Sequence, residues 1–441
     1  MPHARRLFPL LAAVAGIAEM PLAAHVVGFN GPAQSLTAAR IATLPAGERA
    51  AWAAYLARSD KLGKADRASL AAERKPGQMW ALPPDHYGPG IKSMPLDKDA
   101  GWYAGPEAHR IAENVLSFQT PAGGWGKNQD RSAPPRQPGQ DYANKAEQTN
   151  PDRTNLDAPH DIYWTFVGTL DNGATVGELR FLAKVIAAAP AGSPDRARYE
   201  ASFVKGVRYL LDAQFPNGGW PQIYPLEGDF HDSVTFNDNA VARVAQLLRE
   251  VGEEPGYDYV PAEMRARART AQAKAVEVIL AAQYRMKGRP VGWPQQVDPL
   301  TLAPAPARNF EPAAICSDET TDVLLFLMEQ KDPSPAIRRA VVDGVGWLKA
   351  SAVYGKAWIT TPDGRKLIDR DYGGPLWSRL YDPATNKPIF GDWDKYVRDD
   401  VNEISIGRRN GYGWYVTTPE KAIDTYHIWR ETWRVKETEP S

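Results

Sequence analysis

Three aspartates occupy equivalent places along this chain. They open Asp171-Asn172-Gly173-Ala174-Thr175, Asp238-Asn239-Ala240 and Asp318-Glu319-Thr320-Thr321, and each precedes an apolar helical run. Alone, an Asp at a helix start is a cap for free backbone N–H groups. If the three helices run in one direction, their starts ring one opening. Carboxylates and amide oxygens there suit a hard cation such as Ca²⁺, although no EF-hand loop is present. Cationic residues fall in the irregular stretches of the same rim: Lys127, Arg308, Arg379 and the pair Arg408-Arg409. A lone surface arginine is a solvated charge, but guanidinium forks also grip carboxylates in bidentate fashion. Acids, arginines and tryptophans in one cleft fit an acidic sugar polymer bridged by a cation.

Other chemistries lack their residues. The seven histidines show no paired zinc-ligand spacing. No glycine-rich phosphate loop appears, and no G-x-S-x-G elbow. Cys316 is the single cysteine, which excludes an intramolecular disulfide and reads as a core residue beside Ile315. A net charge of −1 leaves no electrostatic basis for a nucleic-acid partner.

The elements that must position these residues repeat. A helix ends in Gln and a Gly-Trp turn follows: Gln119 then Gly123-Gly124-Trp125, Gln214 then Gly218-Gly219-Trp220-Pro221-Gln222, Gln283 then Gly292-Trp293-Pro294-Gln295. Internal repeats of this kind imply stacked units. The preceding segments have helical periodicity, as in Phe203, Val207, Leu210 and Leu211. The segments after each Asp are more apolar, and Val323 to Met328 is apolar almost all round, the mark of a deeply buried helix. A further helix starts at Ser334-Pro335. An outer amphipathic helix, a turn and an inner apolar helix thus alternate. This predicts an all-α fold, an α/α barrel or toroid of helical hairpins whose long loops form the functional face. Beyond about residue 351 short β-like runs predict an irregular extension that closes the site.

Residues 1–24 read as a secretory signal peptide: Arg5 and Arg6, an apolar stretch from Leu7 to Ile17, and small residues before His25. Secretion, to the medium or periplasm, is the expectation, with no membrane span in the remaining chain and a monomeric state. Residues 25–100, with an alanine-rich helical stretch from about Thr37 to Glu73 and then a proline-rich segment, are expected to pack on the outside of the barrel. Residues 101–441 are expected to form the α/α-toroid catalytic domain, in which 130–160 reads as a long polar loop near the functional face.

Six ordered motifs then carry a family likeness: Gly-Gly-Trp-Gly-Lys-Asn (123–128), Leu-Asp-Asn-Gly-Ala-Thr (170–175), Thr-Phe-Asn-Asp-Asn-Ala (235–240), Ala-Arg-Asn-Phe-Glu-Pro (307–312), Pro-Ile-Phe-Gly-Asp (388–392) and Arg-Arg-Asn-Gly-Tyr-Gly-Trp (408–414). Over roughly residues 100 to 430 the chain resembles polysaccharide lyase family 10, the α/α-toroid pectate lyases. The resemblance implies Ca²⁺-assisted β-elimination on polygalacturonate, the acidic backbone of pectin, with an unsaturated product. It implies Arg308 as the base, Asp171 and Asp238 as metal-side carboxylates, and Lys127, Arg379 and Arg408 as holders of substrate carboxylates. A guanidinium is normally protonated, so an arginine base implies an alkaline pH optimum.

The chain departs from the family pattern at Gly391-Asp392-Trp393-Asp394, where members tend to carry Arg in place of Trp393; sugar stacking is expected to replace a carboxylate contact there. The stretch from Asp130 to His160 also fits the family poorly. Three other readings compete. Terpene cyclases share Gln-x-x-x-Gly-Gly-Trp turns but need acidic motifs that this chain lacks. An inverting glycoside hydrolase needs two carboxylates about 6.5–9.5 Å apart. A non-catalytic pectin-binding protein needs only the aromatic and cationic cleft.

Overall fold

The computed structural model describes residues 25–77, 94–143, 161 and 163–435. The expected signal peptide, residues 78–93 of the expected proline-rich segment and residues 144–160 of the 130–160 loop lie outside the described residues. Helices carry the fold: α1 (Ala38–Ile41), α2 (Ala46–Glu73), α3 (Pro106–Ser117), α4 (Val176–Ala188), α5 (Pro194–Ala213), α6 (Ala240–Glu253), α7 (Ala262–Ala281), α8 (Ser317–Met328), α9 (Pro335–Ala350), α10 (Ile406–Gly411) and α11 (Pro419–Thr432).

Two layers follow from which helices touch. Helices α4, α6 and α8 contact one another in sequence, and α3, α5, α7 and α9 do the same. The hairpins α4–α5, α6–α7 and α8–α9 join the layers, and α11 packs on α8 and α9. The chemistry of the residues decides the layer. In α8 the run Val323, Leu324, Phe326, Leu327 and Met328 is buried. Helix α7 buries only Met264, Ala268, Ala271, Ala275, Val278 and Ile279, a single stripe at helical spacing.

The repeat is a set of structural clips. Gln119 donates to Gly123 O (2.9 Å) and to Ser202 O (3.0 Å) on the next outer helix. Gln214 does the same to Gly218 O and Ala271 O, and Gln283 to Val291 O and Ala340 O. Each tryptophan is fully buried and donates Nε1–H back to the helix before it: Trp125 to Val115 O, Trp220 to Leu210 O, Trp293 to Ile279 O. The turn glycines are required by close approach. A Cβ on Gly123 (φ 114°) would sit 2.7 Å from Lys205 O, and one on Gly218 (φ 99°) 2.3 Å from Lys274 O. These tryptophans therefore fill the core and face no sugar. A fourth clip is spread out in sequence: Trp377 Nε1 donates to Leu348 O, with the hairpin Lys356–Thr361/Gly364–Asp369 inserted before Gly373-Gly374. Its signal, a Gly-Gly ahead of a Trp, is present in the sequence but displaced by the insertion.

The remaining strands are short ladders in the connections. One is long-range: Val26–Phe29 pairs antiparallel with Tyr396–Arg398, Val26 opposite Arg398 and Phe29 opposite Tyr396. Helix α2 lies along the C-terminal end of α5, where Tyr55 donates to Ala213 O and Arg58 to Asp212 O. The described part of the 130–160 loop is tied down by a buried Arg131–Glu178 pair and by Arg136 on Glu73. Among the described residues no helix is long and apolar enough to cross a membrane.

Candidate active site

The ends of the inner helices and the loops between layers form an open cleft. Lys127 comes from the stretch after the first Gly-Trp turn. Asp171 and Asp238 come from the one-turn 3₁₀ segments Asp171–Gly173 and Asn237–Asn239, just ahead of α4 and α6. Gln222 and Gln295 end the two Trp-Pro-Gln sequences. Arg308 and Glu311 lie in the loop before α8, Arg379 follows Trp377, and Tyr412 follows α10. All line this cleft.

The two aspartates are not helix caps. Asn172 (φ 51°), Thr175 (φ 63°), Asp238 (φ 54°) and Asn239 (φ 60°) all have left-handed backbone. That conformation is tolerated by Asn and Asp but unusual for the β-branched Thr175. It turns the chain so that the carboxylates face the cleft and each other. Asp238 Oδ2 accepts the backbone N–H of Asn172 at 2.9 Å. Asp171 Oδ1 accepts from Gln222 (3.1 Å) and Asn237 (3.3 Å), and Oδ2 pairs with Lys127 Nζ at 2.9 Å. Burial opposes ionisation of Asp171, but Lys127 outweighs it and holds the carboxyl below its ordinary range. Burial, then the Asp171 charge, pushes Asp238 up to about 6.

The pair fits a hard cation. Two carboxylates share one face, their mutual repulsion is uncompensated at Asp238, and the buried Gln222 Oε1 has no hydrogen-bond partner. Among the described residues no group of three or more His, Cys, Asp or Glu side chains is gathered to hold a metal. A cation at Asp171 and Asp238 would thus need further oxygens, from amides such as Gln222 or from outside the chain.

Opposite the pair, Glu311 grips Arg308 with both oxygens, 2.7 Å from Nε and 2.7 Å from Nη2. Gln295 and Tyr412 also donate to Glu311 Oε1, each at 3.1 Å. Burial raises the Glu311 carboxyl, but Arg308, the Gln295 donor and the Arg379 charge bring it down to about 2. Arg379 donates to Glu319 Oε1 at 2.7 Å and stacks over Tyr412. Arg408 lies over Phe310 at 3.7 Å and Trp393 at 4.6 Å, beside the cleft and outside its immediate lining. Burial and then the Arg308 charge lower its tendency to stay protonated.

Lys127, Asp171, Asp238, Arg308 and Arg379 therefore meet in one cleft, with Arg408 at its edge. Asp318 is displaced into an adjoining pocket, shared with Asp238 and Arg379, where it takes a hydrogen bond from Thr418. Glu311, Tyr412, Gln222, Gln295 and Asn237 escaped the sequence reading as functional residues. Glu311 had a signal, three residues after Arg308 in the same motif, and the two glutamines recur after Trp-Pro.

A helical scaffold with a carboxylate pair and three cations in one cleft defines a protein built for an acidic ligand. A family model described as pectic acid lyase matches residues 119–423. The chain belongs to that family and is an enzyme, a pectate lyase of polysaccharide lyase family 10. It is similar to the family 10 polysaccharide lyase from Cellvibrio cellulosa, at 28% identity and TM-score 0.62 over 77% of this chain and 99% of that one. An aspartate mutant of the Cellvibrio enzyme in complex with trigalacturonic acid matches at 29% identity and TM-score 0.61, over 76% of this chain and 99% of that one. A comparison with curated proteins found no match.

Proposed function

We propose that this lyase cleaves (1→4)-α-D-galacturonan, the polygalacturonate backbone of pectin, by Ca²⁺-assisted β-elimination to 4,5-unsaturated oligogalacturonides. The observation that carries the reading is the placement of Arg308, clamped by Glu311, in the same cleft as the Asp171–Asp238 pair. The Cellvibrio complex with trigalacturonic acid supports the substrate class.

Asp171 and Asp238 would hold the cation. Ca²⁺, when bound there, supplies charge that stabilises the enolate-like carboxylate developing as the C5 proton leaves. Lys127, Arg379 and Arg408 hold uronate carboxylates along the chain. Arg308, as a neutral guanidine, takes the proton from C5. The electron pair forms the C4–C5 double bond, the C4–O bond breaks, and the leaving oxygen is protonated by water. The Glu311 carboxylate favours the charged guanidinium, and Arg408 with a bound cation disfavours it, so the rate should rise toward alkaline pH.

The same reading extends to the whole molecule. The two helix layers are taken as part of an α/α toroid, and the protein as a secreted monomer.

The test is ultraviolet absorbance of de-esterified polygalacturonate incubated with the enzyme, with Ca²⁺ or with EDTA. A Ca²⁺-dependent rise, abolished in Arg308→Ala, is expected. New reducing ends without absorbance would identify a hydrolase, and neither signal a binding protein.

A further inference from the structure

Arg308 is held both by its near neighbours and from far away in the sequence. Glu311 fixes its guanidinium. Its backbone is fixed by Asn30, 278 residues away in sequence. The Asn30 side chain, 2% exposed, donates from Nδ2 to Arg308 O at 2.7 Å and to Asn309 O at 3.0 Å. Its own backbone N–H donates to Lys395 O at 2.7 Å. Asn309 in turn donates to Trp393 O. Asn30 therefore pins the turn that bears Arg308 against the loop that bears Trp393.

The segment that brings Asn30 there is the first one after the expected signal peptide. Strand Val26–Phe29 adds itself to the edge of Tyr396–Arg398. At its outer end His25 N donates to Glu403 Oε2 at 2.7 Å, and His25 Nδ1 lies 2.9 Å from Asp399 Oδ2. At its inner end Leu36 N donates to the buried Asp232 carboxylate at 2.8 Å. The strap is thus tied at both ends and crosses directly behind the turn Ala307–Glu311.

We infer that Asn30 is a positioning residue for Arg308, so that the N-terminal strap, lying outside the 119–423 family match, completes the active site. The inference rests on Arg308 being the base. Both bonds run to carbonyls of the turn that carries Arg308, and losing them frees the turn to shift. A displacement of about 1 Å in a reacting group costs on the order of 100-fold in rate.

The experiment measures initial rates on polygalacturonate with saturating Ca²⁺ for the chain starting at His25, with Asn30→Ala, Asn30→Asp, Arg308→Ala and Asn30→Ala/Arg308→Ala, at a temperature well below unfolding. Asn30→Asp keeps the shape and removes both donors. The expected result is kcat lower by about 10- to 100-fold in both Asn30 variants with KM within about twofold. The double variant should match Arg308→Ala, because Asn30 acts through Arg308. Asn30 variants with wild-type kcat, beside an inactive Arg308→Ala, would overturn the inference and leave the base assignment standing. A further loss in the double variant, or a loss confined to KM, would also overturn it. An active Arg308→Ala would instead remove the base assignment on which the inference depends.

Discussion

Asp171 and Asp238 lie 67 residues apart in the chain yet are joined by one bond, the Asn172 backbone N–H to Asp238 Oδ2 at 2.9 Å. That contact links two left-handed turns and sets two carboxylates face to face. Their protonation differs because of their other neighbours: Lys127 keeps Asp171 ionised, while burial and the Asp171 charge raise Asp238 to about 6 against the pull of the Asn172 N–H.

Calcium and protons should compete at this pair. Asp238 is protonated below about pH 6, so the apparent Ca²⁺ affinity should weaken by up to about tenfold per pH unit below that point and level off above it. Isothermal titration with Ca²⁺ and an oligogalacturonide between pH 5 and 8 reads this directly. Asp238→Asn should abolish the pH dependence along with most of the affinity. An affinity that stays flat from pH 5 to 8 in the wild type would remove Asp238 from the cation site.

Glu311→Gln separates positioning from charge. The amide can still accept from Arg308 at its oxygen but loses the bidentate ionic grip. We expect kcat to fall at least tenfold and the alkaline rise of the rate to begin at lower pH, because a carboxylate favouring the charged guanidinium is gone. A stability effect accompanies it. Glu311 has a folded value of about 2, below its ordinary 4.5, so it stabilises the fold above about pH 4.5 and that contribution fades as pH falls toward 2. Acid denaturation of the variant should lack this segment.

Trp393 is 50% exposed and carries Arg408 over its ring at 4.6 Å. Trp393→Ala should raise KM by roughly three- to tenfold, about 1 kcal/mol of stacking, with kcat little changed. Arg408→Lys should behave almost as Arg408→Ala, because an ammonium cannot reproduce a planar guanidinium lying on Phe310. Steady-state kinetics on trimers and on long polygalacturonate would show the loss. A kcat effect equal to the KM effect would place these residues closer to the chemistry.

Two buried carboxyls away from the cleft predict opposite responses to amidation. Burial raises Asp66 and Asp232 to about 6 each. Their folded values exceed the unfolded 3.8, so the folded state binds more protons between about pH 4 and 6 and stability falls as pH rises through that window. Asp66 uses one oxygen, accepting from Ala122 N, and its other oxygen is orphaned. Asp66→Asn should therefore stabilise at pH 7 by about 1–2 kcal/mol. Asp232 accepts Leu36 N on one oxygen and Gly228 N on the other. An amide cannot serve both, so Asp232→Asn should destabilise by a similar amount. Urea unfolding at pH 4 and pH 7 decides both.

Much of this molecule is written in short-range patterns. Helix periodicity, the Gln and Gly-Trp repeat and the acidic starts at Asp171 and Asp238 are set by neighbours within a few residues, so the sequence by itself determined the alternating helices and the main cleft residues. The family motifs added the roles implied for Arg308, Lys127, Arg379 and Arg408. What the tryptophans do was not legible in the same way, because a ring that fills a core and one that stacks on sugar are the same residue; only packing put Trp125, Trp220 and Trp293 inside and Trp393 outside. Tertiary structure alone decided that Asp318 belongs to the adjoining pocket, that Tyr412 meets Glu311 and that Asn30 reaches Arg308. Those pairings join residues about 100 to 280 positions apart, and no local propensity encodes them. They exist because stacked hairpins and an N-terminal edge strand deliver distant loops to the same place.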